Sequence, residues 1–270
     1  MSKRISRKAF LAMAATGAVG ISPWLAMVET NAISVEHSTL RVPNWRGGKV
    51  RIAVVSDLHA HEKSGAKRGR RAVELALQER PDIIVMPGDF VSRAFPQNLI
   101  NLRHALEPLA DAACPVVGVL GNHDYATGAA DMIVRVAQEY GVVCLRNHSV
   151  DLDGFVIAGV DDWLWGAPKF ELLSELGQPP STLVLIHEPD AVDLFPVPGT
   201  LQISGHSHGG QVCLPLGIPI HTPLGGTKYV RGYYPEAKTP LYVTRGIGTT
   251  GLGFRAFCPP EVSILTVIAA

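Results

Sequence analysis

The 270-residue sequence has few cysteines and no excess of either charge. None of its cysteines forms a C-x-x-C pair, the spacing typical of zinc–thiolate and dithiol redox sites. Lysine plus arginine and aspartate plus glutamate are equal at 24 each, so the sequence predicts no nucleic-acid binding. The apolar surroundings of all four cysteines favour buried thiols over disulfides; they are Cys114, Cys144, Cys213 and Cys258.

The sequence also contains no internal repeat and no low-complexity tract. Its hydrophobic content of 47% is sufficient for one large core, and its length fits one domain with a short extension.

The first 32 residues predict an export signal or a membrane anchor. Four basic residues precede an apolar stretch from Ala9 to Val28. The segment SRKAFLA resembles the twin-arginine export motif, except that Lys8 stands where the second arginine is expected. The basic end precedes the apolar segment, so the following domain is expected outside the cytoplasm, in the periplasm or at the extracytoplasmic face of the membrane. Cleavage of this segment and anchoring by residues 9–28 both stay open.

The remaining residues predict an α/β domain. Residues 33–48 are expected to form a linker and an edge strand, and residues 49–270 the functional domain. Amphipathic helical patterns cover residues 66–80, 98–110 and 129–141. Short strand patterns dominate after residue 142, which predicts a central β-sandwich flanked by helices.

Seven side chains of metal-ligand type directly follow apolar, strand-like runs. Because they stand where strands end, loops from distant parts of the chain are expected to meet at one sheet edge. Oxygen and imidazole ligands suit Mn, Fe or Zn, and seven ligands suit two ions that share a bridge rather than one tetrahedral ion. The residues are Asp57, His59, Asp89, Asn122, His187, His206 and His208.

The order of these motifs, D-x-H, G-D, G-N-H-D, H and G-H-x-H, resembles the calcineurin-like metallophosphoesterase superfamily from Lys49 to the C-terminus. The resemblance implies a four-layer αββα sandwich and two divalent metal ions bridged by Asp89. It further implies that one ion is held by Asp57, His59 and His208, and the other by Asn122, His187 and His206.

The G-N-H-D motif also supplies the expected catalytic residues. In the superfamily pattern His123 protonates the leaving group, while a water made acidic by the two ions attacks phosphorus. The neighbouring Asp124 is expected to orient the His123 ring and fix its tautomer.

Within the superfamily, the chain resembles a bacterial branch that carries an N-terminal export signal or anchor. The C-terminal segment 242–267 resembles a block that is characteristic of this branch. Some members are assigned to hydrolysis of UDP-2,3-diacylglucosamine in lipid A synthesis. The resemblance therefore implies a phosphodiesterase or pyrophosphatase whose substrate is a phosphoester small molecule or a glycolipid.

Two other functional classes stay open. One is a non-catalytic, metal-bound binding module, although every ligand and catalytic position of the motif set is filled. The other is a metallohydrolase that acts on a non-phosphate bond such as an amide, although the G-N-H-D motif argues against it.

Three further groups of residues have two interpretations each. Asp161, Asp162 and Trp163 line the site entrance, or they are turn-forming acids beside a core tryptophan. Arg245 and Arg255 approach a substrate phosphate, or they form structural ion pairs. A basic run contacts an acidic head group or, as the default, forms a solvated helix face; it consists of Lys67, Arg68, Arg70 and Arg71.

Overall fold

The computed structural model describes residues 23–270 except 93–95, 153, 177–180 and 195–199. The predicted basic n-region and most of the apolar stretch therefore lie outside the described residues. The helices are α1 (Pro23–Asn31), α2 (Lys63–Gln78), α3 (Pro96–Leu106), α4 (Asn122–Ala126), α5 (Ala130–Glu139) and α6 (Glu171–Glu175). Short 3-10 helices cover Glu107–Asp111, Pro189–Asp193, His208–Gly210 and Pro215–Gly217.

The strands build two six-stranded sheets and a small hairpin. In chain order they are β1 (Ser34–Val42), β2 (Val50–Val54), β3 (Ile83–Pro87), β4 (Val116–Val119), β5 (Val142–Cys144), β6 (His148–Leu152), β7 (Phe155–Gly159), β8 (Thr182–Leu185), β9 (Thr200–Ser204), β10 (Cys213–Leu214), β11 (Ile218–Pro219), β12 (Gly232–Tyr234), β13 (Leu241–Val243) and β14 (Glu261–Ala269). The first sheet has the order β1-β14-β2-β3-β4-β5 and the second β12-β13-β9-β8-β7-β6, while β10 pairs with β11.

Branched apolar side chains fill the space between the two sheets. Ile52 and Val54 of β2 lie in the same core cluster as Leu183 and Leu185 of β8. Because strand side chains alternate between faces, Ala53 of β2 packs on the outer side, in the cluster that contains the helices. Strands buried on both faces are mainly apolar, which explains runs such as IAVV and IIVM.

Helices cover the outer faces of both sheets. Val73 of α2, Leu102 of α3 and Ile133 of α5 pack against the first sheet. Leu173 of α6 and Ala191 of a 3-10 helix pack against the second sheet. The predicted four-layer αββα sandwich is therefore confirmed.

The three predicted long helices are present with shifted ends. The expected helices at 66–80 and 129–141 correspond to α2 and α5. The expected helix at 98–110 corresponds to α3 followed directly by a 3-10 helix. The glutamate and proline at positions 107 and 108 begin that tighter turn, because a proline nitrogen cannot donate the helical hydrogen bond.

Helix α1 packs against the C-terminal part of the chain. The Glu29 carboxylate accepts hydrogen bonds from the backbone amides of Phe257 and Cys258. Thr30 accepts one from the Arg255 amide at 2.8 Å. Strand β1, which follows, pairs in parallel with β14 at the edge of the first sheet.

None of the described helices combines the length and the apolar character that crossing a bilayer requires.

The four cysteines are free thiols, but their burial differs from the prediction. Cys213 and Cys258 are buried, whereas Cys114 and Cys144 are half-buried. The difference arises because Cys114 lies in the turn before β4 and Cys144 lies at the end of the edge strand β5.

Candidate metal centre and catalytic site

Parallel strands bring the predicted ligands to one edge of the sandwich. Strands β2, β3 and β4 are parallel in the first sheet, as are β7, β8 and β9 in the second. The strands and the ligands that follow them are β2 with Asp57 and His59, β3 with Asp89, β4 with Asn122, β8 with His187, and β9 with His206 and His208. The structure therefore brings together residues that are far apart in the sequence.

The ligand loops hold an uncommon backbone conformation. The Asp57 amide donates to the Gly88 carbonyl at 3.0 Å, and the His59 amide donates to the Asp89 carbonyl at 3.1 Å. These bonds fix the loops although left-handed backbone at a non-glycine residue costs on the order of 1–3 kcal/mol. The strained residues, with φ between 43° and 69°, are Asp57, His59, Asp89, His206 and His208.

One group of four side chains is suited to hold a metal ion. Asp57, His59, Asp89 and His208 each offer one ligand atom, and these atoms lie within 4.8 Å of one another. The Nε2 atoms of His59 and His208 are 2.9 Å apart. The His208 Nε2 atom lies 3.6 Å from an Asp57 carboxylate oxygen. All four side chains are buried, so the loops, and not bulk water, define the ligand sphere.

A second group lies on the other side of Asp89. The His187 Nε2 atom is 3.3 Å from the Asp89 carboxylate, and its Nδ1 atom donates to the Pro87 carbonyl at 2.6 Å. His206 Nε2 contacts the Leu224 carbonyl at 2.8 Å, so in the neutral ring Nδ1 carries the lone pair. That Nδ1 atom lies 3.1 Å from the Asn122 side-chain oxygen. Two electron-pair donors that face each other suit a cation between them.

Burial and mutual charge shift the pKa values of the two carboxylates in opposite directions. Burial raises the pKa of Asp57 to about 6, with the nearby Asp89 charge adding to the effect. Burial alone would also raise the pKa of Asp89, but His187 and His59 lower it far below the usual range. Burial lowers the pKa of His59 to about 3 and that of His206 to about 4, which favours neutral imidazoles.

The residues fit a metal centre by a second criterion, the presence of unsatisfied polar atoms. Asp57 Oδ2 and His187 Nε2 are fully buried and lack a hydrogen-bond partner of acceptable geometry. Buried polar atoms are normally satisfied, and an unpaired ligand atom in each of the two groups indicates a site for cations.

His123 lies beside this centre and outside both ligand groups. It is in the first turn of α4, and its backbone amide donates to Asp89 Oδ1 at 2.9 Å. The ring Nε2 atom lies 3.3 Å from the Thr250 hydroxyl, and the ring meets His59 edge-on with 5.1 Å between centroids. Asp89 therefore fixes the backbone of His123, while the ring stays half-buried at the site entrance.

The expectation that Asp124 orients the His123 ring is wrong. The Asp124 carboxylate accepts from the backbone amides of Phe90, Val91 and Gly121, at 3.0–3.2 Å. None of the hydrogen bonds in the described part of the chain joins it to His123. As the third residue of a short helix, Asp124 points back to the helix start, so it ties the Asp89 loop to the Asn122 loop. Burial raises the pKa of Asp124 to about 8.

Two cavities flank His123. A cavity of about 400 Å³ is mainly polar and is lined by Arg68, Ser64, Ser92 and Thr250 besides the His123 and His59 rings. A cavity of about 540 Å³ extends to the apolar residues Val212, Ile220, Pro223 and Leu252. Since His123, Thr250, Gly251 and Leu252 border both cavities, a bound molecule can extend in two chemically different directions from the metal centre.

The two arginines of the C-terminal segment have structural roles. Arg245 forms an ion pair with Glu261 and another with Glu36. Arg255 is fully buried and donates to the carbonyl oxygens of Gly248, His208 and Arg245. Arg245 therefore forms the structural ion pairs that were expected, whereas Arg255 is structural through hydrogen bonds to backbone carbonyls.

The acidic pair after β7 forms turns and does not line either cavity. Asp162 accepts from the amides of Leu164 and Trp165, at 3.1 and 2.6 Å. Asp161 accepts from the Tyr125 hydroxyl and from the Ala167 amide. The turn-forming interpretation is therefore the correct one for both acids.

Several residues at the site have no motif that reveals them. Ser92 contacts the His59 Nδ1 atom at 2.6 Å, Thr250 contacts His123, and Leu224 uses its carbonyl to orient His206. The glycine-rich segment GTTGLG was the one available sequence signal for Thr250. A backbone carbonyl such as that of Leu224 leaves no trace in side-chain patterns.

Comparison with known proteins gives a consistent result. A family model described as calcineurin-like phosphoesterase matches residues 50–210. The uncharacterized metallophosphoesterase YkuE of Bacillus subtilis (strain 168) is 31% identical over 288 residues, covering 98% of each chain. The phosphodiesterase YaeI of Escherichia coli (strain K12) is 30% identical over 225 residues, covering 81% of this chain and 82% of its own.

A third relative has a named glycolipid substrate. The UDP-2,3-diacylglucosamine pyrophosphatase LpxG of Chlamydia muridarum (strain MoPn / Nigg) is 28% identical over 310 residues, covering 90% of this chain and 91% of its own.

Proposed function

Because the chain belongs to the calcineurin-like phosphoesterase family, we propose that this metal-dependent phosphohydrolase cleaves a phosphodiester or pyrophosphate bond in an amphiphilic substrate. The observation that carries the proposal is the convergence of seven ligand-type side chains, with Asp89 between the two groups and His123 directly beside them. A lipid-linked nucleotide sugar such as UDP-2,3-diacylglucosamine is the first substrate class to test.

We assign the two ligand groups to two divalent cations, Mn, Fe or Zn. Asp57, His59 and His208 would hold one, and Asn122, His187 and His206 the other, with Asp89 between them. When bound, the cations supply positive charge to the phosphoryl oxygens and make a water nucleophilic at neutral pH. The Asp57 and Asp89 carboxylates are buried, and Asp57 Oδ2 has no hydrogen-bond partner among the described residues; the two carboxylates provide the negative charge that would retain such ions.

His123 is proposed to donate a proton to the leaving oxygen. Its ring is half-buried at the junction of the two cavities, and it is not needed as a ligand in either group. The hydrogen bond from the His123 backbone amide to Asp89 fixes the distance of His123 from the metal centre, and Thr250 faces its Nε2 atom. A donor held in this way is suited to general acid catalysis.

The two cavities support an amphiphilic substrate. On the apolar side, Ile220, Leu224 and Leu252 are exposed to 61%, 74% and 55%. Ile220 and Leu252 line the larger cavity, and the Leu224 carbonyl contacts His206. An acyl or other apolar group bound there would cover surface that is otherwise in water, and the name of the LpxG relative is consistent with this class.

We further propose an extracytoplasmic location, with the first 32 residues as export signal or anchor. The basic and apolar composition of this segment supports the proposal. The contacts of Glu29 and Thr30 favour retention of at least residues 23–32 in the mature chain. Resistance of the domain to protease added to intact spheroplasts would contradict this location.

The function is tested with the full chain loaded with Mn²⁺ and bis-p-nitrophenyl phosphate as substrate. We expect hydrolysis by the wild type and a roughly 10²–10⁴-fold lower kcat for His123→Ala. The metal content of the variant, measured by inductively coupled plasma mass spectrometry, should equal that of the wild type.

Two outcomes would contradict the proposed function. A metal-loaded wild type that hydrolyses no phosphoester would favour a binding module. Cleavage of an amide substrate without phosphoester cleavage would favour the other metallohydrolase class.

A further inference from the structure

The basic run on α2 contains one arginine that differs from its neighbours. Arg70 pairs with Glu74 and Glu107, and Arg71 pairs with Glu74. Lys67 is exposed, so the default interpretation of a solvated face holds for these three residues. Arg68 instead lines the polar cavity together with His59 and His123.

The Arg68 guanidinium lacks a complete set of partners. Its Nε atom is buried and has no hydrogen-bond partner within the part of the chain that the structure describes. Burial lowers the pKa of Arg68, and the Glu62 carboxylate opposes this effect. Glu62 also lines the cavity, but its side chain is 72% exposed and forms no ion pair with Arg68. A partly buried cation without a paired anion is unfavourable unless a ligand completes it.

The position of Arg68 relative to the metal centre is fixed by close packing. A Cβ atom on Gly65 would lie 3.0 Å from the His59 carbonyl, and one on Gly69 would lie 3.0 Å from Ala105 Cβ. Glycines on both sides of Arg68 therefore let α2 lie directly against the His59 loop and α3. The guanidinium is carried on a rigid helix and not on a mobile loop.

Hydroxyl groups in the polar cavity provide further hydrogen-bond donors beside Arg68. Ser64, Thr249 and Thr250 line it beside Arg68, and the site offers cationic and neutral donors on one side of His123. The apolar cavity lies on the other side. Among the described lining residues of the two cavities, Arg68 is the one arginine or lysine, so a phosphoryl group next to the one being cleaved would meet a guanidinium in the first direction only.

We propose that Arg68 binds a second phosphoryl group of the substrate, so that the site selects pyrophosphate diesters over simple phosphodiesters. This inference rests on the proposed function and names its substrate class. A planar guanidinium can donate two parallel hydrogen bonds to a phosphoryl group. A simple diester bound at the metal centre has no second phosphoryl group to place in this cavity. Arg68 is thus a specificity-determining residue.

The test compares Arg68→Gln with the control Arg71→Gln, a substitution on the same helix outside the cavity. Calorimetric titration of the Mn²⁺-loaded full chain with inorganic pyrophosphate, and separately with inorganic phosphate, measures the two affinities. We expect Arg68→Gln to weaken pyrophosphate binding about 10- to 100-fold, the loss typical of a charged hydrogen bond, with phosphate binding changed less than about 3-fold. Arg71→Gln should change neither, and Arg68→Lys should recover part of the loss.

A second test measures KM for two substrates, UDP-glucose as the pyrophosphate diester and bis-p-nitrophenyl phosphate as the simple diester. The Arg68→Gln substitution should raise KM about 10-fold or more for UDP-glucose only. Equal losses on both ligands, or no loss on either, would overturn the inference.

The failures of the two proposals are distinguishable. If the wild type hydrolyses the diester and pyrophosphate binding is independent of Arg68, only this inference fails. If pyrophosphate binding depends on Arg68 but no phosphoester is hydrolysed, the proposed function fails. Arg68 would then belong to a pyrophosphate-binding site without hydrolytic activity.

Discussion

Two glycines leave room for the carboxylates of the metal centre, because a side chain at either position would overlap one of them. A Cβ atom on Gly121 would lie 2.3 Å from Asp89 Oδ1, and one on Gly205 would lie 2.3 Å from Asp57 Oδ2. Neither distance is compatible with a side chain unless the carboxylate moves. Each of these two glycines therefore keeps one carboxylate in place, although neither contributes a ligand atom.

The substitution Gly121→Ala should displace Asp89 from the centre. We expect a loss of about 1–3 kcal/mol in the free energy of unfolding, from overpacking, together with reduced metal content. Denaturant titration and elemental analysis measure the two effects. Gly253→Ala is the matched control, because a Cβ atom there meets no atom within 4 Å. Full metal retention in Gly121→Ala would contradict the assigned packing.

At the scale of secondary-structure elements, helix α1 holds the C-terminal segment in place through hydrogen bonds. Glu29 and Thr30 accept hydrogen bonds from three backbone amides between residues 255 and 258. That segment contains Arg255, which is fully buried and supports the His208 carbonyl. A segment expected to serve only as a signal or anchor thus also contacts the folded domain.

Replacing Thr30 with valine should destabilise the chain by leaving the buried Arg255 amide without its acceptor. We expect a loss of about 1–3 kcal/mol in unfolding free energy, measured by denaturant titration. Thr39→Val, at an exposed position of β1, should change it by less than about 0.5 kcal/mol. Equal stability of the two variants would show that the α1 contact is not maintained in solution.

The sequence allowed prediction of elements whose periodicity is long enough to recognise. Helix α2 and the buried strands before the ligands follow from apolar spacing alone. Short helices were not predicted, because α4 and the 3-10 helix at His208–Gly210 are set by loop hydrogen bonds and positive φ angles. The Asp124 error has the same origin, since its partners are backbone amides of another loop.

At the scale of the whole molecule, the metal centre joins the two sheets. Asp57 and Asp89 belong to loops of the first sheet, whereas His187 and His208 belong to loops of the second. The contacts between these groups connect the two sheets, as does the hydrogen bond from the His206 amide to the Asp57 carboxylate. Metal binding should therefore stabilise the packing of one sheet on the other.

The metal dependence of the unfolding temperature tests this coupling. At a Mn²⁺ concentration about 100 times Kd, the folded state should gain about 2.7 kcal/mol, which raises Tm. The variant Asp89→Asn lacks the central charge and should show little increase, while the exposed Asp111→Asn should behave as the wild type. Differential scanning calorimetry with and without chelator measures the shifts. An equal shift in Asp89→Asn would contradict a central role for Asp89.

The order of strands in the first sheet has a consequence for the way the chain matures. Strand β14 lies between β1 and β2, so the last of the described strands separates the first two. Ser34 pairs with Glu261, a contact of very high sequence separation that forms late because closing a long loop is entropically unfavourable. A chain that lacks β14 would therefore leave the facing edges of β1 and β2 unpaired, and unpaired strand edges favour association between molecules.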